Sequence, residues 1–170
     1  MKRFLLIIVF VFIPFSLFGE ITFPESVYLV DNETGFKIML GQPPRFIEDE
    51  YGTPNEKILI RKFSSGNGVW RLVYNDFEMM YETRDMLITY IRTTGSRFST
   101  SKVKIGDSLS DIIRLYGNPD YTTTINNGEL VYSYRRIFKE INSETEITTI
   151  QFGFINNRVV TIYLYIASVV

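Results

Sequence analysis

The chain has 170 residues, 18 basic and 19 acidic, with no cysteine and no histidine. The near-neutral balance provides no electrostatic footprint for nucleic acid. The two missing residue types exclude disulfides, thiolate chemistry, Ser-His hydrolysis and the commonest zinc and copper ligands.

The first element is an N-terminal export signal. Met1-Lys2-Arg3 is basic, Phe4–Phe18 is an uncharged and largely apolar run, and polarity resumes at Gly19-Glu20. A basic start, a short apolar run and a small residue before the cut form the secretory pattern. The run is short of the roughly 20 apolar residues that a spanning helix needs. Cleavage is expected after Gly19, with an uncleaved anchor as the alternative. Export without cysteine points to a bacterial periplasm or medium. Residues 20–170 are enough to bury a core without staples.

After the signal the chain repeats itself. Leu40–Asn55 aligns with Ile105–Asp120 at a constant offset of 65 without gaps. Gly41 matches Gly106, Ile47 matches Ile112, Tyr51-Gly52 matches Tyr116-Gly117 and Pro54 matches Pro119. In the second copy Ser108 and Asp111 form a helix-capping pair. Leu109, Ile112, Ile113 and Tyr116 then lie on one helical face. Gly117 supplies the cap and Pro119 blocks continuation. In the first copy Pro44 fits the first helical position, and Phe46, Ile47 and Tyr51 form the apolar face.

Strand-like runs follow each helix. The first set is Lys57–Phe63, Val69–Tyr74, Phe77–Glu82 and Met86–Thr93. The second is Tyr121–Ile125, Glu129–Phe138, Glu146–Ile155 and Arg158–Ile166. Turn residues separate them, including Asn75-Asp76, Asn126-Asn127-Gly128 and Asn156-Asn157. The expected fold is therefore α+β: two tandem helix-plus-antiparallel-meander repeats, with the helices packed on one face of an antiparallel sheet. The expected boundaries are 1–19 for the signal, 20–100 for the first unit and 101–170 for the second, the two units forming one compact domain.

Alternation assigns faces. In the last strand Val160, Ile162, Leu164 and Ile166 point inward, and Thr161, Tyr163 and Tyr165 outward. In the preceding strand Ile150, Phe152 and Phe154 oppose Thr149, Gln151 and Gly153. Trp70, Leu72 and Tyr74 share a face, as do Phe77, Met79 and Tyr81, but the pattern leaves open which face is buried.

This constellation resembles the repeat unit of β-lactamase-inhibitor-protein-like domains and of the small outer-membrane-assembly lipoprotein family (SmpA/OmlA, also called BamE). The matching residues are Gly106, Ser108, Ile112, Tyr116-Gly117-Asn118-Pro119, Tyr132-Ser133-Tyr134 and Phe152-Gly153-Phe154-Ile155-Asn156-Asn157-Arg158-Val159. The tandem arrangement is closer to the inhibitors. The resemblance implies export and protein binding without catalysis. The chain lacks the inhibitors' disulfides and the lipoproteins' anchoring cysteine.

The acidic run Glu48-Asp49-Glu50 points to different sides of a helix and reads as a solvated surface. Asp107–Asp111 lacks the closing glutamate of a calcium loop and reads as a cap. No pair of carboxylates can be set face to face for acid–base work. No enzyme activity and no cofactor are expected. The expected function is an exported protein-binding module of the bacterial envelope, with another envelope or secreted protein as partner and no stable membrane insertion after cleavage. Its expected contact residues are Trp70, Tyr74, Asn75, Asp76, Tyr90, Tyr163 and Tyr165, because exposed aromatics give large rigid contact area. The alternative is a periplasmic carrier of a small apolar ligand with the sheet as its floor.

Overall fold

The computed structural model describes residues 27–125, 128–141 and 144–169. The expected signal peptide and its cleavage site lie outside the described residues, as do Asn126 and Asn127 of one expected turn.

The elements run in chain order as β1 (Tyr28–Asp31), β2 (Lys37–Met39), α1 (Arg45–Tyr51), β3 (Glu56–Lys62), β4 (Gly68–Val73), β5 (Phe77–Glu82) and β6 (Leu87–Thr93). They continue as β7 (Phe98–Ser99), α2 (Leu109–Tyr116), β8 (Tyr121–Thr124), β9 (Leu130–Ile141), β10 (Glu144–Ile155) and β11 (Arg158–Val169). One antiparallel sheet has eight strands in the order β3-β4-β5-β6-β11-β10-β9-β8, and a small sheet has the order β2-β1-β7.

This mostly-β architecture overturns the expected α+β arrangement of helix-plus-meander repeats with helices layered on a sheet. The helices have only seven and eight residues, and each buries a single side chain completely, Ile47 in α1 and Ile112 in α2. Two turns cannot form a layer. Of the face drawn for α2, Ile113 is 38% exposed. The last strands of the two meanders also pair directly, Tyr165 with Tyr90 and Ile162 with Thr93. That seam merges the strands of both halves into one sheet.

The 65-residue offset survives as matched contacts. Gly41 N–H donates to the Ile88 carbonyl at 2.8 Å, and Ile88 N–H to the Gln42 carbonyl at 3.0 Å. Gly106 N–H donates to the Val159 carbonyl at 2.8 Å, and Val159 N–H to the Asp107 carbonyl at 2.9 Å. Both helices end on a glycine of positive φ, Gly52 at 75° and Gly117 at 78°. A side chain there would be strained. The tyrosine hydroxyls of Tyr74 and Tyr134 point to the carbonyls of these same two glycines, at 3.5 and 3.2 Å.

The core lies between the large sheet and everything else. Leu72, Met79, Ile91, Ile162, Leu164 and Phe152 come from the sheet, Leu29, Ile38 and Phe98 from the small sheet and its return, and Ile47 and Ile112 from the helices. Each such side chain contributes about 1.5–3 kcal/mol by leaving water. Aromatic rings join the parts: Tyr51 meets Phe77 at 5.2 Å between centroids, and Tyr116 meets Phe152 at 5.2 Å.

A bulge corrects the expected alternation of the last strand. Between Gly153 and Phe154 the β10–β11 register shifts, so Phe154 faces Val159 and Val160 drops out of the ladder. Val159, not Val160, is therefore buried. A second shift, between Met80 and Tyr81, sets Tyr81 against Ile88 and Met80 against Tyr90.

Ser108 caps α2 as the sequence indicates: its Oγ accepts from Asp111 N–H at 3.2 Å and donates to Asp111 Oδ2 at 2.6 Å. Replacing Ser108 with Ala should cost about 1 kcal/mol, read as a small drop in chemical-denaturation midpoint. An unchanged midpoint would mean that tertiary contacts alone hold α2.

Candidate functional site

The core residues of the large sheet lie on one face, packed with Leu29, Ile38, Phe98, Ile47 and Ile112, and the residues that alternate with them point the other way. Pairing registers place them in two rows. One row reads Arg71, Met80, Tyr90, Tyr165, Thr149 and Arg135 from β4 to β9. The next reads Val73, Glu78, Arg92, Tyr163, Gln151, Ser133 and Tyr121 from β4 to β8. Both rows run across strands of both halves of the chain, so neither half holds this surface alone.

Long side chains contact one another across this outer face. Glu78 is shared by Arg92 at 3.6 Å and Arg71 at 3.9 Å. The Arg92 guanidinium sits 5.7 Å from the Tyr163 ring centroid. Tyr163 OH donates to Glu129 Oε1 at 3.2 Å. Gln151 Nε2 donates to Ser133 Oγ at 2.8 Å and to Tyr165 OH at 3.2 Å. Beneath this layer the short residues Thr149, Thr161 and Ser133 are buried, as is Glu129. Burial is the main reason that the Tyr90 and Tyr163 hydroxyls titrate above the ordinary phenol range, with Glu78 and Glu129 adding to it respectively. Both phenols are therefore neutral at physiological pH. Arg71 Nε is buried without a hydrogen-bond partner in the described structure.

Gly153 makes room for Glu129. A Cβ at Gly153 would overlap the Glu129 carboxylate and lie 2.5 Å from its Cδ. Gly153→Ala should displace Glu129 and break its bond to Tyr163, at a cost of about 1–3 kcal/mol. A urea-midpoint comparison checks this, and a neutral result would show that Glu129 relocates freely.

The structure divides the expected contact residues. Tyr90, Tyr163 and Tyr165 lie together on the outer face, within two adjacent strands. Trp70 and Tyr74 belong to the opposite face: Tyr74 is buried in the core and Trp70 packs partly against it. Aromatic residues favour strands, and here they fill the core side of the sheet. Burial raises the Tyr74 hydroxyl to about 12. Asn75 and Asp76 form the tip between β4 and β5. Asn75 Oδ1 accepts from Asn55 Nδ2 at 2.7 Å, and the Asp76 carbonyl accepts from Thr93 Oγ1 at 2.7 Å. Clefts flank this tip on both sides, one lined by Tyr51, Asn55 and Arg97, the other by Glu78, Arg92 and Thr94. Neither is an enclosed apolar cavity of the kind a lipophilic cargo needs.

The sequence reading missed one charged cluster. Asp31, fully buried, accepts from Arg97 Nε at 3.0 Å, Arg97 Nη2 at 2.6 Å, Tyr51 OH at 2.9 Å and Glu33 N–H at 2.9 Å. The Arg97 contact, above all, holds the Asp31 carboxyl well below the usual range. The cluster ties β1, the end of α1 and the segment before β7. Every carboxylate oxygen is satisfied by the chain itself, which marks it as structural. Turn chemistry around Asp31 and Gly35 is visible locally, but nothing local connects Asp31 with Arg97, 66 residues away.

Among the described residues, no group of three or more Asp or Glu is placed to hold a metal ion, and no helix is long and apolar enough to cross a membrane. No family model and no curated protein matches the chain. Among solved structures the chain is similar to a cysteine-rich secretory protein from Staphylococcus aureus subsp. aureus Mu50, at 15% identity and a TM-score of 0.46; the match covers 74% of this chain but only 42% of the length of that protein.

Proposed function

We propose that this chain is an exported, non-catalytic protein-binding module of the bacterial envelope that uses the outer face of its eight-stranded sheet. The supporting observation is that Met80, Tyr90, Tyr165, Arg92 and Tyr163 share the outer face, with Tyr165 bonded to Gln151 and Tyr163 to Glu129. Tyrosine, arginine and methionine are the residue types enriched at protein interfaces. Side chains already fixed by Glu78, Gln151 and Glu129 lose little freedom on binding. The export part of the reading rests on the N-terminal pattern of Met1-Lys2-Arg3 and Phe4–Phe18.

Site-specific photo-crosslinking of the full chain in its native cells tests this. A photoreactive side chain at Met80 should yield a discrete protein adduct in the envelope fraction. The same group at Leu59, exposed on the opposite side of the sheet, should not. Equal adducts from both positions, or none from Met80, would remove the outer face as the binding surface.

A further inference from the structure

The large sheet ends on β3 at one side and on β8 at the other, and the two edges are built differently. β3 carries Glu56, Lys57, Arg61 and Lys62, and its register shifts between Leu59 and Arg61. Charge and a bulge both deter the addition of another strand. β8 reads Tyr-Thr-Thr-Thr, with no charge and no proline, in regular register with β9 and exposed at all four positions. Among the described residues no strand pairs with its outer side.

The hydrogen-bond parity of this edge is fixed by Ile125, whose N–H donates to the Glu129 carbonyl at 3.0 Å. By alternation Tyr121, Thr123 and Ile125 turn their backbone groups toward β9, and Thr122 and Thr124 turn theirs outward. The β9 edge just past β8 is closed, because Arg135 N–H donates to the Asp120 carboxylate at 2.6 Å. The available edge is thus short, uncharged and bounded.

We propose that β8 pairs antiparallel with β8 of a second copy of the chain, across a two-fold axis through Thr123. The parity is self-complementary. Thr122 of one copy faces Thr124 of the other, twice, and all their outward N–H and C=O groups are used. The same register brings Tyr121, 53% exposed, beside Ile125 of the second copy, 38% exposed, again twice. These are two of the large apolar side chains left in water, and pairing covers both. Thr123 meets its own counterpart, and no strand charge approaches its like across the axis. Tyr121 and Thr123 lie on the outer face, opposite Ser133 and Val131. The pairing therefore continues that face from one copy into the next. One four-residue strand pair is a small interface, which fits a weak dimer formed by mass action and not an obligate one. The inference is independent of what the outer face binds.

Sedimentation equilibrium of the full chain over a concentration series, combined with amide exchange at Thr122 and Thr124, tests it. The wild type should dimerise, and both amides should become protected as concentration rises. Thr124→Pro removes an outward N–H and spares the bonding to β9. Thr123→Lys sets like charges together on the axis. Each should raise the dissociation constant by about tenfold or more, with unchanged far-UV circular dichroism. A wild type that stays monomeric overturns the proposal. So does equal association of the wild type and both variants, or protection of Thr122 and Thr124 that does not depend on concentration.

Discussion

Arg97→Ala is expected to destabilise the fold clearly, because it leaves the Asp31 carboxylate without its guanidinium partner. Asp31 has no exposed surface, so its charge depends on Arg97, Tyr51 and the Glu33 N–H in place of water. The variant also loses the cation over the Tyr51 and Phe98 rings. The melting temperature should fall by several degrees. Asp31→Asn separates charge from shape. The hydrogen bonds from Arg97 hold the folded-state carboxyl of Asp31 well below the ordinary carboxylate range. Its contribution is therefore complete above about pH 4 and is lost as pH falls from there toward the folded-state value. The stability gap between wild type and Asp31→Asn should be constant near neutrality and narrow steadily below pH 4. Denaturation midpoints at pH 7, 4 and 3 read this directly. A gap that stays constant through pH 3 would show that the charge on Asp31 adds nothing to stability.

Tyr165→Ala is expected to weaken partner binding by about 30-fold or more, the effect of a central aromatic anchor. Tyr165 sits in the middle of its row, between Tyr90 and Thr149, and its hydroxyl is steadied by Gln151. Because its ring lies on the outer face, the melting temperature should drop by only a few degrees. Trp70→Ala should do the reverse: it should leave affinity intact and destabilise the fold, since Trp70 packs on the core side next to Tyr81. Tyr163 is a poorer probe, because its removal also uncovers Glu129. Affinity by biolayer interferometry against the crosslinked partner, beside thermal melts of both variants, gives the two readouts. If Trp70→Ala abolishes binding and Tyr165→Ala does not, the contact surface is on the helix side.

Several elements were legible because their signals are local. Ser108, Asp111 and Gly117 delimit α2, and Pro44 marks the start of α1. The expected strands match β3–β6 and β8–β11 within a few residues, because turn residues bound each run. The inward set Ile150, Phe152 and Phe154 and the outward set Thr149, Gln151 and Gly153 also follow from alternation. The small sheet was not legible, since strands of four, three and two residues are too short to show a period. The fold class was misjudged for a related reason. The helical signatures around Ile47 and Ile112 are local, and each belongs to an element that buries one side chain completely.

The sequence by itself determined where the strands of the large sheet and the helix caps lie and which side chains alternate along most of those strands, because those properties depend on neighbours within a turn or two. It also carried the repeated glycine–helix–glycine segment, whose two copies dock on Ile88 and Val159 by the same pair of bonds. Only the tertiary structure decided that β6 and β11 meet, that Tyr90, Arg92, Tyr163 and Tyr165 therefore share one surface, and that Trp70 and Tyr74 lie on the other side of it. It alone brought Arg97 to Asp31. The physical reason is the same in each case: strand order, bulges and burial of a charge are settled by long-range pairing across the sheet, which leaves no period in the chain to read.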